Sequence, residues 1–114
     1  LIIIPRVLIT KGELLDFQLP ILDATTAGTF NFSWEDNSGQ GNANATDLVS
    51  IVCYCEELNM YFINEEIASR DMLLVSITLP NTFKNKEIDV WIYLNTEKRT
   101  LASISTYLGK HEVL

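Results

Sequence analysis

The chain has 114 residues, of which 47% are hydrophobic and 20% charged, a composition that fits a soluble globular protein and excludes disorder. A length like this is one domain's worth, enough to bury roughly two-thirds of its unfolded surface around one core. Fifteen acidic residues against eight basic ones give a net charge of −7, which repels a phosphate backbone and excludes non-specific nucleic-acid binding.

The dominant signal along the chain is period two. Residues 2–9 and 14–19 read as strands flanking a turn at Lys11-Gly12, and the apolar start Leu1 to Ile4 is far too short to span a bilayer. It also lacks the small-residue cleavage site of a signal peptide, and no other targeting segment is visible. After a break at Gly28, Phe30, Phe32 and Trp34 alternate with Asn31 and Ser33, the mark of a half-buried strand. A polar stretch over residues 36–47 follows. Residues 48–55 are apolar on both faces and rich in Val and Ile, as a central strand requires. Residues 56–59 read as a hairpin loop, 60–64 as a short strand and 65–69 as a single helical turn.

Residues 71–79 put Leu73, Val75, Ile77 and Leu79 on one face; residues 80–86 are a breaker segment. Residues 87–95 set Ile88, Val90, Ile92 and Leu94 opposite Asp89, Trp91 and Tyr93. The last strand is expected over residues 100–108, ahead of a loose tail holding His111. Seven or eight short strands at about ten-residue spacing predict an all-β, two-sheet antiparallel sandwich of about seven strands. The pattern Ile77-Thr78-Leu79-Pro80, a polar crossing, then Val90-Trp91-Ile92-Tyr93 resembles an immunoglobulin or fibronectin type III sandwich. We expect a single domain over residues 1–114.

Chemistry is sparse. Cys53 and Cys55 share one face of a strand about 7 Å apart, too far for an unstrained bridge whose Cβ atoms sit roughly 4 Å apart, and two thiols fall short of a four-ligand zinc site. They read as small buried apolar residues. His111 lies too near the end to serve a nucleophile. The pairs Glu56-Glu57 and Glu65-Glu66 point apart, and the Gly-x-Gly of residues 39–41 lacks the strand-to-helix context of a phosphate loop. The chain is therefore expected not to be an enzyme and to carry no cofactor.

The loop over residues 36–47 has a structural and a functional reading. As structure, Asp36 and Asn37 cap turns, Gly39 and Gly41 supply positive φ, and Asn42, Asn44, Thr46 and Asp47 satisfy loop backbone. As a site, Asp36, Ser38, Gln40, Asn42 and Asp47 could cup a calcium ion, although the spacing is not that of an EF-hand. Alternatively Trp34, Asp36, Asn37, Asn42 and Asn44 could form the rim for a carbohydrate or protein partner. Trp91 and Tyr93 beside Asp89 offer a second surface of that kind if they face outward. The structural reading leads.

The run Trp34-Glu35-Asp36-Asn37-Ser38-Gly39-Gln40-Gly41-Asn42-Ala43-Asn44-Ala45-Thr46-Asp47 resembles a family of uncharacterised proteins from Bacteroides-type bacteria, a domain of unknown function. Val7 to Gly12, Ala24 to Phe30, the Leu79-Pro80 segment and Ser105-Thr106-Tyr107-Leu108-Gly109 extend the similarity over nearly the whole chain. The resemblance implies a C-terminal domain that follows a basic N-terminal region. It implies no activity. The function expected is a non-catalytic structural or protein-interaction module; the alternative is a ligand-binding sandwich using the 36–47 loop.

Overall fold

The computed structural model describes residues 14–114. They form seven strands, β1 (Gln18–Asp23), β2 (Thr29–Glu35), β3 (Leu48–Cys55), β4 (Met60–Ser69), β5 (Leu74–Thr78), β6 (Glu87–Asn95) and β7 (Thr106–Glu112), with single 3-10 turns before β5 and β6. Two antiparallel sheets result, β1-β2-β5 and β4-β3-β6-β7. The all-β two-sheet sandwich read from the alternation is the fold. The strand expected over residues 2–9 lies outside the described residues. Among those described, no helix is long and apolar enough to cross a membrane.

The core forms where the inward faces meet. Phe30, Phe32 and Trp34 of β2 pack toward Val49, Ile51, Cys53 and Cys55 of β3 and Ile88, Val90, Ile92 and Leu94 of β6. Phe83, from the crossing between β5 and β6, closes one end with its ring edge-on to Phe62 at 6.4 Å. β3 is the central strand its composition predicts: it pairs with β4 on one side and β6 on the other, and seven of its eight residues are buried.

Four local expectations give way. The strand near the start covers Gln18–Asp23 and not residues 14–19. It pairs with β2 through a register shift at Leu19 and Pro20. The helical turn expected over residues 65–69 is instead the second half of β4. Tertiary pairing with β3 outweighs the weak local propensity there, and Ser50 Oγ accepts the Glu66 N–H at 2.9 Å where the ladder bulges. The last strand begins at Thr106, while residues 100–105 form no strand and are held by the isolated bridge Asn95–Ala102 and by backbone bonds such as Ser103 N to Leu94 O. The tail is not loose. His111 stands inside β7 with Nε2 2.7 Å from the Leu108 carbonyl, and Val113 is buried. Backbone bonds Asn85 N to Val113 O, Val113 N to Lys86 O and Gly28 N to Leu114 O hold the end of the chain between neighbouring turns.

Cys53 and Cys55 are free thiols with no accessible surface. Burial pushes the Cys53 thiol up to about 12, so at pH 8 its thiolate fraction is negligible. A thiol reagent at pH 8 is expected to label neither cysteine in the native protein and both in denaturant. Rapid native labelling, read by mass spectrometry, would contradict this packing.

Candidate functional site

The most extensively bonded buried charge among the described residues lies beneath the 36–47 loop. Arg70 follows β4 in a 3-10 turn that ends at Leu73, whose φ of 64° reverses the chain into β5. That turn sends the Arg70 side chain beneath the loop, where it has no accessible surface. A guanidinium carries five N–H donors, and all five are used. Nε and one Nη2 proton go to Asp47 Oδ2 at 3.1 and 3.0 Å. Nη1 donates to Asn37 Oδ1 at 2.7 Å and to the Asp16 carbonyl at 3.2 Å, and Nη2 also reaches the Leu15 carbonyl at 2.7 Å. The backbone of Arg70 is held as well: its N–H donates to Asp47 O at 2.8 Å, and its carbonyl accepts the Trp34 indole N–H at 2.7 Å.

The loop is built to meet this cation. Asp47 and Asn37 are buried, and the same Asp47 Oδ2 accepts the Asn44 N–H at 2.8 Å. Bonds Gly39 N to Ala43 O, Ala43 N to Gln40 O and Asp47 N to Asn44 O wind the loop into successive turns. Gly39 at φ 88° and Gly41 at φ 51° take the left-handed conformation those turns demand. Asn42 Oδ1 accepts the Leu15 N–H at 2.8 Å, and Asn37 Nδ2 donates to the Asp16 carbonyl at 3.0 Å, which ties the loop to the approach of β1.

The residues named from sequence therefore separate. Of the calcium set, Asp36 and Gln40 are exposed, Asp47 is turned inward to Arg70, and Asn42 spends its carbonyl oxygen on Leu15. Asp36 Oδ1 accepts the Ser38 N–H at 2.9 Å in a local turn. Among the described residues, no group of three or more His, Cys, Asp and Glu side chains is arranged to hold a metal ion. Of the rim set, Trp34 and Asn37 are buried and do not form a surface, because one donates to the Arg70 carbonyl and the other joins its guanidinium. Asp36, Asn42 and Asn44 remain on the outside.

Trp91 corrects a second expectation. It does lie on the face of β6 opposite Ile88, Val90 and Ile92, but only 2% of it is exposed. Val52, Tyr54, Tyr93 and Tyr107 pack around it, with the Tyr107 ring at 5.3 Å. Tyr93 is half-buried. Asp89, on the same face, is fully buried, accepting bonds from Tyr107 Oη at 2.5 Å and Lys110 Nζ at 3.2 Å. The bond to Asp89 in turn raises the Lys110 ammonium above the usual lysine range. With its indole buried among these neighbours, Trp91 does not present the exposed stacking face that the sugar reading requires.

Arg70 was the residue missing from the sequence reading. Its signal was present: it is the only basic side chain between Lys11 and Lys84, in a stretch that is otherwise acidic.

A family model matches residues 2–109. The chain belongs to DUF6266, a family of unknown function. No curated protein matches this DUF6266 chain. The family thus covers both sheets and the Arg70 centre without bringing an activity with it.

Two predictions follow from the geometry of the loop. Asp47→Ala strands a buried guanidinium and is expected to cost about 3–5 kcal/mol of unfolding free energy, with Asp47→Asn milder, as read by urea denaturation. A loss as small as that of a surface substitution would refute the Arg70 centre. Gly39→Val and Gly41→Val are each expected to cost about 1–2 kcal/mol. Open space surrounds both positions, so the cost is backbone strain, and an asparagine at either should recover part of it.

Proposed function

We propose that this chain is a non-catalytic structural or protein-interaction module, and that its polar loop is a folded connector. The observation that carries this reading is the inward turn of the loop. Its buried carboxylate, Asp47, and its buried amide, Asn37, are committed to Arg70 and do not converge on open space. A ligand competing for Asp47 would have to leave a buried guanidinium without its counter-charge, which costs several kcal/mol.

The strand order supports an immunoglobulin-like and, within it, a fibronectin type III-like reading. β4 sits in the sheet of β3 and not in that of β1, unlike the constant-type immunoglobulin arrangement. Such sandwiches serve many unrelated roles, so the site decides and not the fold. The exposed apolar side chains Leu19, Ile21 and Leu74 on the three-stranded sheet favour interaction with another macromolecule over a purely internal role.

Ligand linkage tests the reading, since anything that binds only the folded state raises its melting temperature. Melts with and without millimolar Ca²⁺ are expected to coincide, and tryptophan fluorescence is expected to be indifferent to a panel of sugars. A Ca²⁺-dependent rise that disappears in Asp36→Ala would overturn the connector reading in favour of a metal loop.

A further inference from the structure

A two-sheet sandwich leaves four edge strands, each with a row of unpaired backbone N–H and C=O groups that invites strand addition. Three of these edges carry a device against it. β1 contains Pro20 and a register shift between Gln18 and Ile21. β4 carries Glu65 and Glu66 and a register shift opposite Val49 and Ile51, with Arg99 bound to Glu66 through both carboxylate oxygens. The pairing of β7 shifts at Val90 and Trp91, and its outer half reads Lys110, His111, Glu112. β5 has none of these. Leu74–Thr78 holds no charge and no proline, and it pairs with β2 through five consecutive residues without a shift. Among the described residues, no strand lies on its other side.

The surface beside this edge has a defined character. Ser33 of β2 pairs with Leu74 on one side and Ile21 on the other, and those two side chains are 58% and 60% exposed. The next row along the same face is Asp23, Asn31 and Ser76. Glu35 follows on β2, and Asp71 stands just before β5. From residue 14 to residue 83 the only basic side chain is Arg70, which is buried and neutralised by Asp47. The three-stranded sheet is thus apolar and acidic, with no exposed cation of its own.

We propose that the open edge of β5 takes an extended segment of a partner protein as a fourth strand of this sheet, a segment in which basic side chains alternate with apolar ones. This rests on the interaction-module reading above. Backbone pairing supplies the affinity of such a complex, and alternate side chains supply its specificity. Apolar positions of the added strand continue the inward row of Val75 and Ile77. Basic positions lie on the outward side, where their aliphatic stems cover Leu74 and their charges meet the field of Asp23, Glu35 and Asp71. A second copy of this chain is the poorer occupant, because it brings another −7 and the same acidic face.

The probe is a blocked, fluorescently labelled seven-residue peptide alternating lysine and valine, titrated by anisotropy at low salt. Saturable binding is expected to weaken about tenfold when glutamate replaces lysine, a difference readily resolved by titration. N-methylation of the peptide on one alternate set of amides is expected to abolish binding, while methylation of the other set leaves it, because only one set faces β5. Ser76→Lys, or Thr78→Lys if that variant does not fold, is expected to lose the interaction with its melting temperature retained. Absence of saturable binding, equal binding of the glutamate peptide, or indifference to both methylation patterns would overturn the proposal. So would a dimer seen by sedimentation that Ser76→Lys dissociates, since the edge would then belong to a second copy. Failure here with coincident Ca²⁺ melts would leave the connector reading of the loop standing.

Discussion

The fold depends on where one guanidinium is placed. Burying a cation costs several kcal/mol unless its charge is met and its protons are bonded, and Arg70 satisfies both conditions with five bonds to four residues. Those partners come from the approach to β1, the loop after β2 and the start of β3, so a single side chain sets the relation of three segments distant in sequence. Its carbonyl anchors the Trp34 indole at the same time, which fixes the last inward side chain of β2. A geometry this constrained has few alternatives. The loop over residues 36–47 has one conformation because its buried groups have one partner.

The rest of the sandwich is organised around that corner by ordinary burial. β3 and β6 are buried on both faces, which explains why Cys53, Cys55 and Val90 sit in the main core while Val52, Tyr54 and Trp91 form a smaller cluster on the other side. Asp89 lies within this second layer, and Lys110 reaches it from the neighbouring strand, so the edge strand β7 is pinned by a charge pointing inward. Inward charges of this kind discourage edge-to-edge pairing. β1 and β4 are protected differently, by a proline, register shifts and glutamates, and β5 has none of these features.

A polar, glycine-containing loop is the usual place to look for a ligand site on a rigid scaffold. Here the same residue types serve the chain itself. Short amides and carboxylates bond equally well to a cation from solution and to one supplied internally, and the difference lies only in which is nearer. Arg70 is already there at 2.7–3.1 Å from Asn37 and Asp47. The interaction potential of the molecule moves accordingly from the loop to the flat of the three-stranded sheet and its β5 edge.

The alternation of Phe30, Phe32 and Trp34, the two-faced apolar run of β3 and the Ile88 to Leu94 face of β6 were enough to determine an all-β sandwich, because side-chain direction in a strand depends only on parity. The hairpin turn at residues 56–59 and the positive φ of Gly39 and Gly41 were equally local. Tertiary structure decided the rest. Residues 65–69 extend β4 because β3 offers them partners, the tail is fixed because backbone groups of residues 28, 85 and 86 bind it, and Trp91 is covered because Tyr107 stands on the adjacent strand. The role of the polar loop was decided in the same way. Asp36, Asn42 and Asp47 look alike in sequence, and only the position of Arg70, more than twenty residues further along the chain, determines which of them is a buried counter-charge and which faces water.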